Sequence, residues 1–252
     1  MSALAGRTAL VTGGGSGLGA AIATALHSAG ADVVVVGRDT AKLVSVVDRL
    51  GDRTRALSCD VTDSESVDQL AMSLADTPVS ILVNNAGVPG PVASLIDISV
   101  EEWDAVFAAN VRGIFLLCKA FLPPMVERGA GDVINLASVS GKRPLPFRTP
   151  YCASKMAVIG LTSTLAFEMG PAGVNVNTLS PGPVEGPRMQ RNFRLEADRA
   201  GTSIAEAEAS FVSRSALGRM VTEEEVGRAV VAMLGMPGLS GADIDLSAGM
   251  VA

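Results

Sequence analysis

Short apolar runs alternate with longer amphipathic stretches along most of the chain. Residues 8–12 (Thr-Ala-Leu-Val-Thr) predict a first buried strand. Leu18, Ala21, Ile22, Ala25 and Leu26 then recur at helical spacing, which predicts a helix over 17–29 that Gly30 stops. The alternation continues with strands over 32–36, 53–58, 80–83, 132–136 and 174–179. Between them the pattern predicts helices over 40–50, 63–75, 100–128 and 150–169. Asp63 is the expected cap of the third helix, and Pro123-Pro124 the expected kink in the long one. Residues 181–221 break the rhythm with prolines, glycines and a polar helical stretch. A loop of that length in a regular fold is functional, and a mobile substrate lid is expected over about 183–215. A closing helix over 222–234 and a strand over 242–246 finish the pattern. Alternation of this kind predicts an α/β fold: a single doubly wound domain over 1–252, its mainly parallel seven-stranded sheet covered by helices on both faces.

Composition agrees with that class. The 252 residues are 48% hydrophobic, 18% charged and only 4% aromatic, as a parallel sheet buried on both faces requires. A formal charge of −6 with scattered basic residues argues against nucleic acid or an acidic membrane surface as partner. Cys59, Cys118 and Cys152 lie far apart without metal-binding spacing, so reduced cytosolic thiols and no metal site are expected. The first residues show no secretory pattern, and no stretch reaches the ~18 uninterrupted apolar residues of a membrane span. A cytoplasmic location is the expectation.

The segment Thr12-Gly13-Gly14-Gly15-Ser16-Gly17-Leu18-Gly19 joins the first strand to the first helix. Glycines there permit a tight turn and let backbone N–H groups approach a pyrophosphate. The helix N-terminus adds positive partial charge. That location predicts dinucleotide binding by Gly13, Gly15, Ser16, Gly17, Leu18 and Gly19. At the end of the second strand, an acid would meet the ribose 2′-hydroxyl of NAD, and a base the 2′-phosphate of NADP. Here the strand ends Gly37-Arg38-Asp39. Arg38 can hold a phosphate bidentately, and Asp39 comes one or two places late. NADP(H) is therefore favoured, with NAD(H) the alternative.

Tyr151 and Lys155 are four apart on a predicted helix and share a face. An ammonium so placed favours the phenolate, which makes Tyr151 a proton donor or acceptor near neutral pH. Ser138 stands thirteen residues upstream of Tyr151. The lone His27 lies on the first helix away from this pair, so a hydrolase triad lacks its base. Trp103 reads as packing.

Taken together, these motifs are similar to those of the short-chain dehydrogenase/reductase family, over nearly the whole length. The likeness rests on the loop at 12–19, Asp60-Val61 after the third strand, and Asn84-Asn85-Ala86-Gly87 after the fourth. Asn110, Ser138, Tyr151 and Lys155 follow at the family's catalytic spacing, then Pro181-Gly182 after the sixth strand. The resemblance implies a Rossmann fold and NAD(P)-dependent interconversion of a secondary alcohol and a ketone, with hydride supplied by the cofactor. It implies that Asp60 and Val61 meet the adenine ring, and that Asn84, Ala86 and Gly87 border the cofactor in a sheet-stabilising turn. Pro181, Gly182 and the backbone of Val184 would sit by the nicotinamide. Ser138 would hydrogen-bond the substrate oxygen, Tyr151 would move its proton, and Lys155 would also hold the nicotinamide ribose. The backbone carbonyl of Asn110 would hold a water linking Lys155 to solvent. Two positions depart from the pattern: Gly186 replaces a usual threonine, and Ser16 stands where NADP-using relatives often carry a basic residue.

The substrate is expected between residues 88–93, 139–149 and 183–215. Lys142, Arg143 and Arg148 are close to the tyrosine, and Arg188, Arg191 and Arg194 recur on one face of the lid. Arg148 or Arg188 could clamp a carboxylate or sulfonate on a small-molecule substrate. The resemblance further implies a homotetramer or homodimer, built through the helices over 100–128 and 150–169 and the run 242–252. Two other readings stay open: a non-redox dehydratase or epimerase that uses its dinucleotide internally, and a non-catalytic dinucleotide-binding sensor.

Overall fold

The computed structural model describes residues 3–250, the side chain of Arg188 excepted. One sheet runs in the order β3-β2-β1-β4-β5-β6-β7. Its strands are β1 (Thr8–Thr12), β2 (Asp32–Gly37), β3 (Thr54–Ser58), β4 (Val79–Asn84), β5 (Gly131–Leu136), β6 (Val174–Pro181) and β7 (Asp243–Leu246). Each neighbouring pair is parallel, so the sheet is wholly rather than mainly parallel. From β1 the chain winds outward to β3, returns to β4, and winds the other way to β7. That reversal opens a crevice beyond the carboxyl ends of β1 and β4, where open α/β sheets bind ligands.

Successive strand residues point to opposite faces. Ala9, Val11, Val33, Val35, Ile81 and Val83 pack with helices α1 (Gly17–Ser28), α2 (Thr40–Leu50) and α9 (Glu223–Leu234). Leu10, Val34, Val36, Leu82 and Val133 pack with α3 (Ser64–Ser73), α5 (Gly113–Arg128) and α6 (Thr149–Met169). Both faces are thus dry, which is why these strands read as unbroken apolar runs. Asp63 caps α3 as expected, its carboxylate accepting from Glu65 N and Ser66 N. Reciprocal Ser99–Glu102 and Thr222–Glu225 boxes start α4 (Val100–Phe107) and α9.

The long helical run differs from expectation in where its irregularity falls. α5 continues through Pro123 and Pro124. A five-residue π-helical turn, Ala108–Arg112, instead separates α4 from α5 and carries Asn110. By length and composition the run could cross a membrane, but Ile114, Leu117, Phe121 and Met125 are sunk in the sheet's second face. Trp103 stacks on Phe107 with ring centroids 4.9 Å apart, as packing.

Residues 181–221 are also more ordered than the sequence pattern suggests. They hold two helices, α7 (Pro187–Ala200) and α8 (Ile204–Val212), around a small core of Met189, Phe193, Ala197, Ala207 and Met220. The Ser203–Glu206 capping box was a legible signal for α8. A bridge between Val184 and Val221 ties the segment's two ends together.

Candidate active site

The loop between β1 and α1 closes so tightly that side chains are excluded. Gly13 has φ 64°, and a Cβ there would lie 2.9 Å from Asn85 Nδ2. A Cβ on Gly19 would lie 2.1 Å from the Gly13 carbonyl oxygen. Thr12 Oγ1 accepts from Asn85 N and Ala86 N, each at 3.0 Å. Asn85 Nδ2 donates to Thr12 O at 2.9 Å. The turn after β4 therefore clamps the glycine loop, and Asn85, which sequence reasoning passed over as a site residue, is the clamp. Ser16 begins α1 without spending its hydroxyl on a cap. Gly13, Ser16, Gly17, Leu18 and Gly19 line a cleft of about 570 Å³. Gly15 does not: a Cβ there would meet Lys42 of α2. A bare backbone cradle at the N-terminus of α1 suits a pyrophosphate. Glu223 lies at its rim, with Oε1 3.0 Å from where a Gly186 Cβ would stand, and burial pushes its carboxyl above the usual range.

The carboxyl ends of β2 and β3 carry the groups expected at the adenosine end. Arg38 is largely exposed, with Nη1 3.8 Å from Asp60 Oδ2. Asp39 is committed elsewhere: it caps α2 by accepting from Lys42 N at 3.2 Å and pairs with Lys42 Nζ at 2.9 Å. Those Lys42 contacts hold its carboxyl below the usual range. Asp60 accepts from Thr62 N at 2.9 Å and Thr62 Oγ1 at 2.8 Å, and the backbone bond does most to keep it ionised. Val61 is buried against Gly113. Arg38, Asp60 and Val61 all stand outside the cleft's own lining.

At the middle of the cleft the two halves of the sheet contribute different groups. Ser138 follows β5, is 8% exposed, and accepts from Ser140 N at 3.2 Å. Its hydroxyl also donates to Pro181 O at 3.5 Å, at the end of β6. Tyr151 and Lys155 stand on α6 and line the same cleft as Ser138. Lys155 Nζ donates to Leu136 O at 2.6 Å and lies 5.8 Å from the centre of the Tyr151 ring. Asn110 is fully buried. Its Oδ1 accepts from Val88 N at 2.7 Å, and its Nδ2 donates to Val88 O and Ser154 Oγ, each at 3.0 Å. The side chain thus ties the π-helical turn to the loop after β4 and to α6. Ala86, Gly87, Pro181, Gly182 and Val184 also line the cleft. The Val184 bridge uses Pro183 O and Glu185 N, and neither bond spends the amide of Val184 itself.

Asn84 is 1% exposed and donates to Asn135 Oδ1 at 2.8 Å, so its side chain ties β4 to β5 instead of bordering the cleft. Strand alternation turns it inward and leaves Asn85 to face the loop. Lys142 is held by Asp243 at 2.7 Å and by Asp245, so its charge belongs to β7. Arg191 and Arg194 are exposed on α7 outside the cleft lining, and Arg194 Nε donates to Gln190 O at 3.3 Å. Arg148 does line the cleft, but its Nη2 donates to Asn192 Oδ1 at 2.8 Å. Arg188 is on α7, and its side chain lies outside what the structure describes.

The family model described as short chain dehydrogenase matches residues 7–198. An uncharacterised oxidoreductase of Staphylococcus aureus is 40% identical over 188 residues, covering 73% of this chain and 81% of that one. D-threitol dehydrogenase of Mycolicibacterium smegmatis is 41% identical over 183 residues, covering 71% of this chain and 70% of that one. Among solved structures, an actinorhodin polyketide ketoreductase variant crystallised with NADPH superposes with TM-score 0.92 at 32% identity, over 97% of each chain. An NAD+-bound xylitol dehydrogenase superposes with TM-score 0.93 at 27% identity, over 98% of this chain and 99% of that one.

Proposed function

The chain belongs to the short-chain dehydrogenase family, and from that premise we propose that it interconverts a secondary alcohol and a ketone, with Tyr151 as acid and base. The observation that carries this reading is the convergence of Ser138, Tyr151 and Lys155 on one cleft with the glycine loop. A nicotinamide dinucleotide, when bound, supplies or accepts the hydride. Gly13, Ser16, Gly17, Leu18 and Gly19 would hold its pyrophosphate. Gly87, Pro181, Gly182 and the amide of Val184 would border the nicotinamide.

Ser138 holds the substrate oxygen by a hydrogen bond. The Tyr151 hydroxyl gives that oxygen a proton in reduction and takes one in oxidation. The Lys155 ammonium favours the phenolate and so eases both directions. The Asn110 side chain fixes the π-helical turn, leaving the role of a water-mediated proton path to its backbone carbonyl. Arg38 favours the 2′-phosphate of NADP(H), and the engagement of Asp39 with Lys42 of α2 weighs against its serving NAD(H) there. Asp60 and Val61 would flank the adenine.

The substrate is a small molecule reached between the loops after β4 and β5 and the α7–α8 segment, which we read as a lid. The chain acts in the cytoplasm as a homodimer or homotetramer. Exposed Phe167 (86%) and Phe115 (51%) on α6 and α5 support an interface through those helices. The test is a spectrophotometric screen of secondary alcohols and ketones with NADPH and NADH at 340 nm. Turnover with NADPH on part of the panel is expected. Silence across the whole panel with both cofactors would return the protein to the sensor reading.

A further inference from the structure

The two residues that precede the helix of Tyr151 hold α7 at two points. Arg148 is 9% exposed, and its guanidinium donates from Nη2 to Asn192 Oδ1 at 2.8 Å and from Nη1 to Pro89 O at 3.4 Å. One side chain thereby joins α7, the loop after β4 and the start of α6. Phe147, next to it, has φ 64°, a left-handed conformation unusual for a bulky residue. Its carbonyl accepts from Ala93 N at 3.1 Å. Its ring receives the guanidinium of Arg199 at 4.6 Å, and Arg199 is itself paired with Glu196. Asn192 and Arg199 are seven residues apart, so both contacts fall on one face of α7.

The physics of the guanidinium explains why an arginine suits this place. Its planar fork serves two acceptors on separate elements at once, which a lysine cannot do in the same geometry. Because Arg148 is buried, loss of Asn192 would take one acceptor from a charged donor in a poorly solvated site. Docking of α7 and satisfaction of Arg148 are therefore linked. Met189 and Leu195, carried by α7, line the cleft with Tyr151.

We propose that Arg148, acting through Asn192, is a positioning residue that docks α7 onto the helix of Tyr151 and so fixes the substrate wall of the cleft. This rests on reading the cleft as the active site. Its role differs from that of a substrate clamp: the guanidinium acts on the protein wall.

Trypsin supplies a direct probe, because Arg191 and Arg194 are exposed on α7. Arg148→Gln and Asn192→Leu should each speed cleavage after these residues about tenfold. The double variant should be cut no faster than Arg148→Gln alone, because that change already removes the one contact that Asn192→Leu breaks. Asn192→Asp retains the acceptor and should be cut at the wild-type rate. Cleavage after the exposed Arg49 of α2 is the control and should not change. With a substrate found in the screen, both single variants should raise KM about tenfold while the Kd for NADPH stays as in the wild type. Unchanged cleavage in the singles, multiplicative effects in the double, or faster cleavage with an unaltered KM would each overturn the proposal. If no compound turns over, the functional reading fails while the cleavage assay still decides whether the latch exists.

Discussion

Asn110 Nδ2 donates to Ser154 Oγ across 3.0 Å, joining a π-helical turn to the helix that carries Tyr151 and Lys155. The same amide group brackets Val88 through both its donor and its acceptor. Replacing Asn110 by Leu would strip the half-buried Val88 amide of its acceptor and remove a partner from the buried Ser154. An unsatisfied buried group costs about 1–3 kcal/mol, which lowers Tm by roughly 3–10 °C in a chain of this size. Differential scanning calorimetry checks the loss, and an unchanged Tm would mean that the bracket carries no stability.

Tyr151→Phe removes the one hydroxyl assigned to proton transfer and leaves the ring in place. Turnover should fall at least ~100-fold, since general acid–base catalysis contributes about 10²–10⁴. Cofactor affinity should hold, because the glycine loop is untouched. Stopped-flow absorbance and a fluorescence titration of NADPH separate the two effects.

Arg38→Asp reverses the charge offered at the end of β2. The ratio of NADPH to NADH efficiency should drop by ~10–100-fold, the scale of one or two charge-assisted hydrogen bonds. Equal losses with both cofactors would remove Arg38 from the 2′-phosphate.

Gly19→Ala tests the cradle. Its Cβ would come 2.1 Å from a backbone oxygen, and backbone cannot move aside cheaply. Dinucleotide binding should be lost below ~1 mM while the far-UV circular dichroism stays αβ, since the clash is confined to one turn. Retained binding would show that the loop can open.

The start of α9 should depend on pH. Arg219 donates to Glu225 at 2.7 Å and 2.8 Å, and those bonds, with one from Thr222 N at 2.9 Å, lower its carboxyl from 4.5 to about 2. A depressed carboxyl contributes stability above its unfolded value and loses it as pH falls through the folded one. The Tm gap between wild type and Glu225→Gln should therefore be full above pH 4.5 and close towards pH 2. A gap independent of pH across that window would discard the ion pair as its source.

Much of this protein is written locally. The inner strands β1, β2, β4 and β5 could be read because a parallel strand buried on both faces must be a largely apolar run, whereas the edge strands β3 and β7 are only half-buried. The glycine loop was legible because tight turning at a helix start demands bare backbone, and Tyr151 with Lys155 because helical geometry puts positions four apart on one side. What spacing could not supply were partners drawn from distant segments. Asn84 turned into the sheet while Asn85 took the loop, because strand end and turn part company at that peptide. Lys142 went to acids a hundred residues onward on β7, and Arg148 to Asn192 on α7. Periodicity reports which face of an element is dry; only the packed chain decides which donor finds which acceptor, because hydrogen bonds select by distance and direction among groups the sequence keeps far apart.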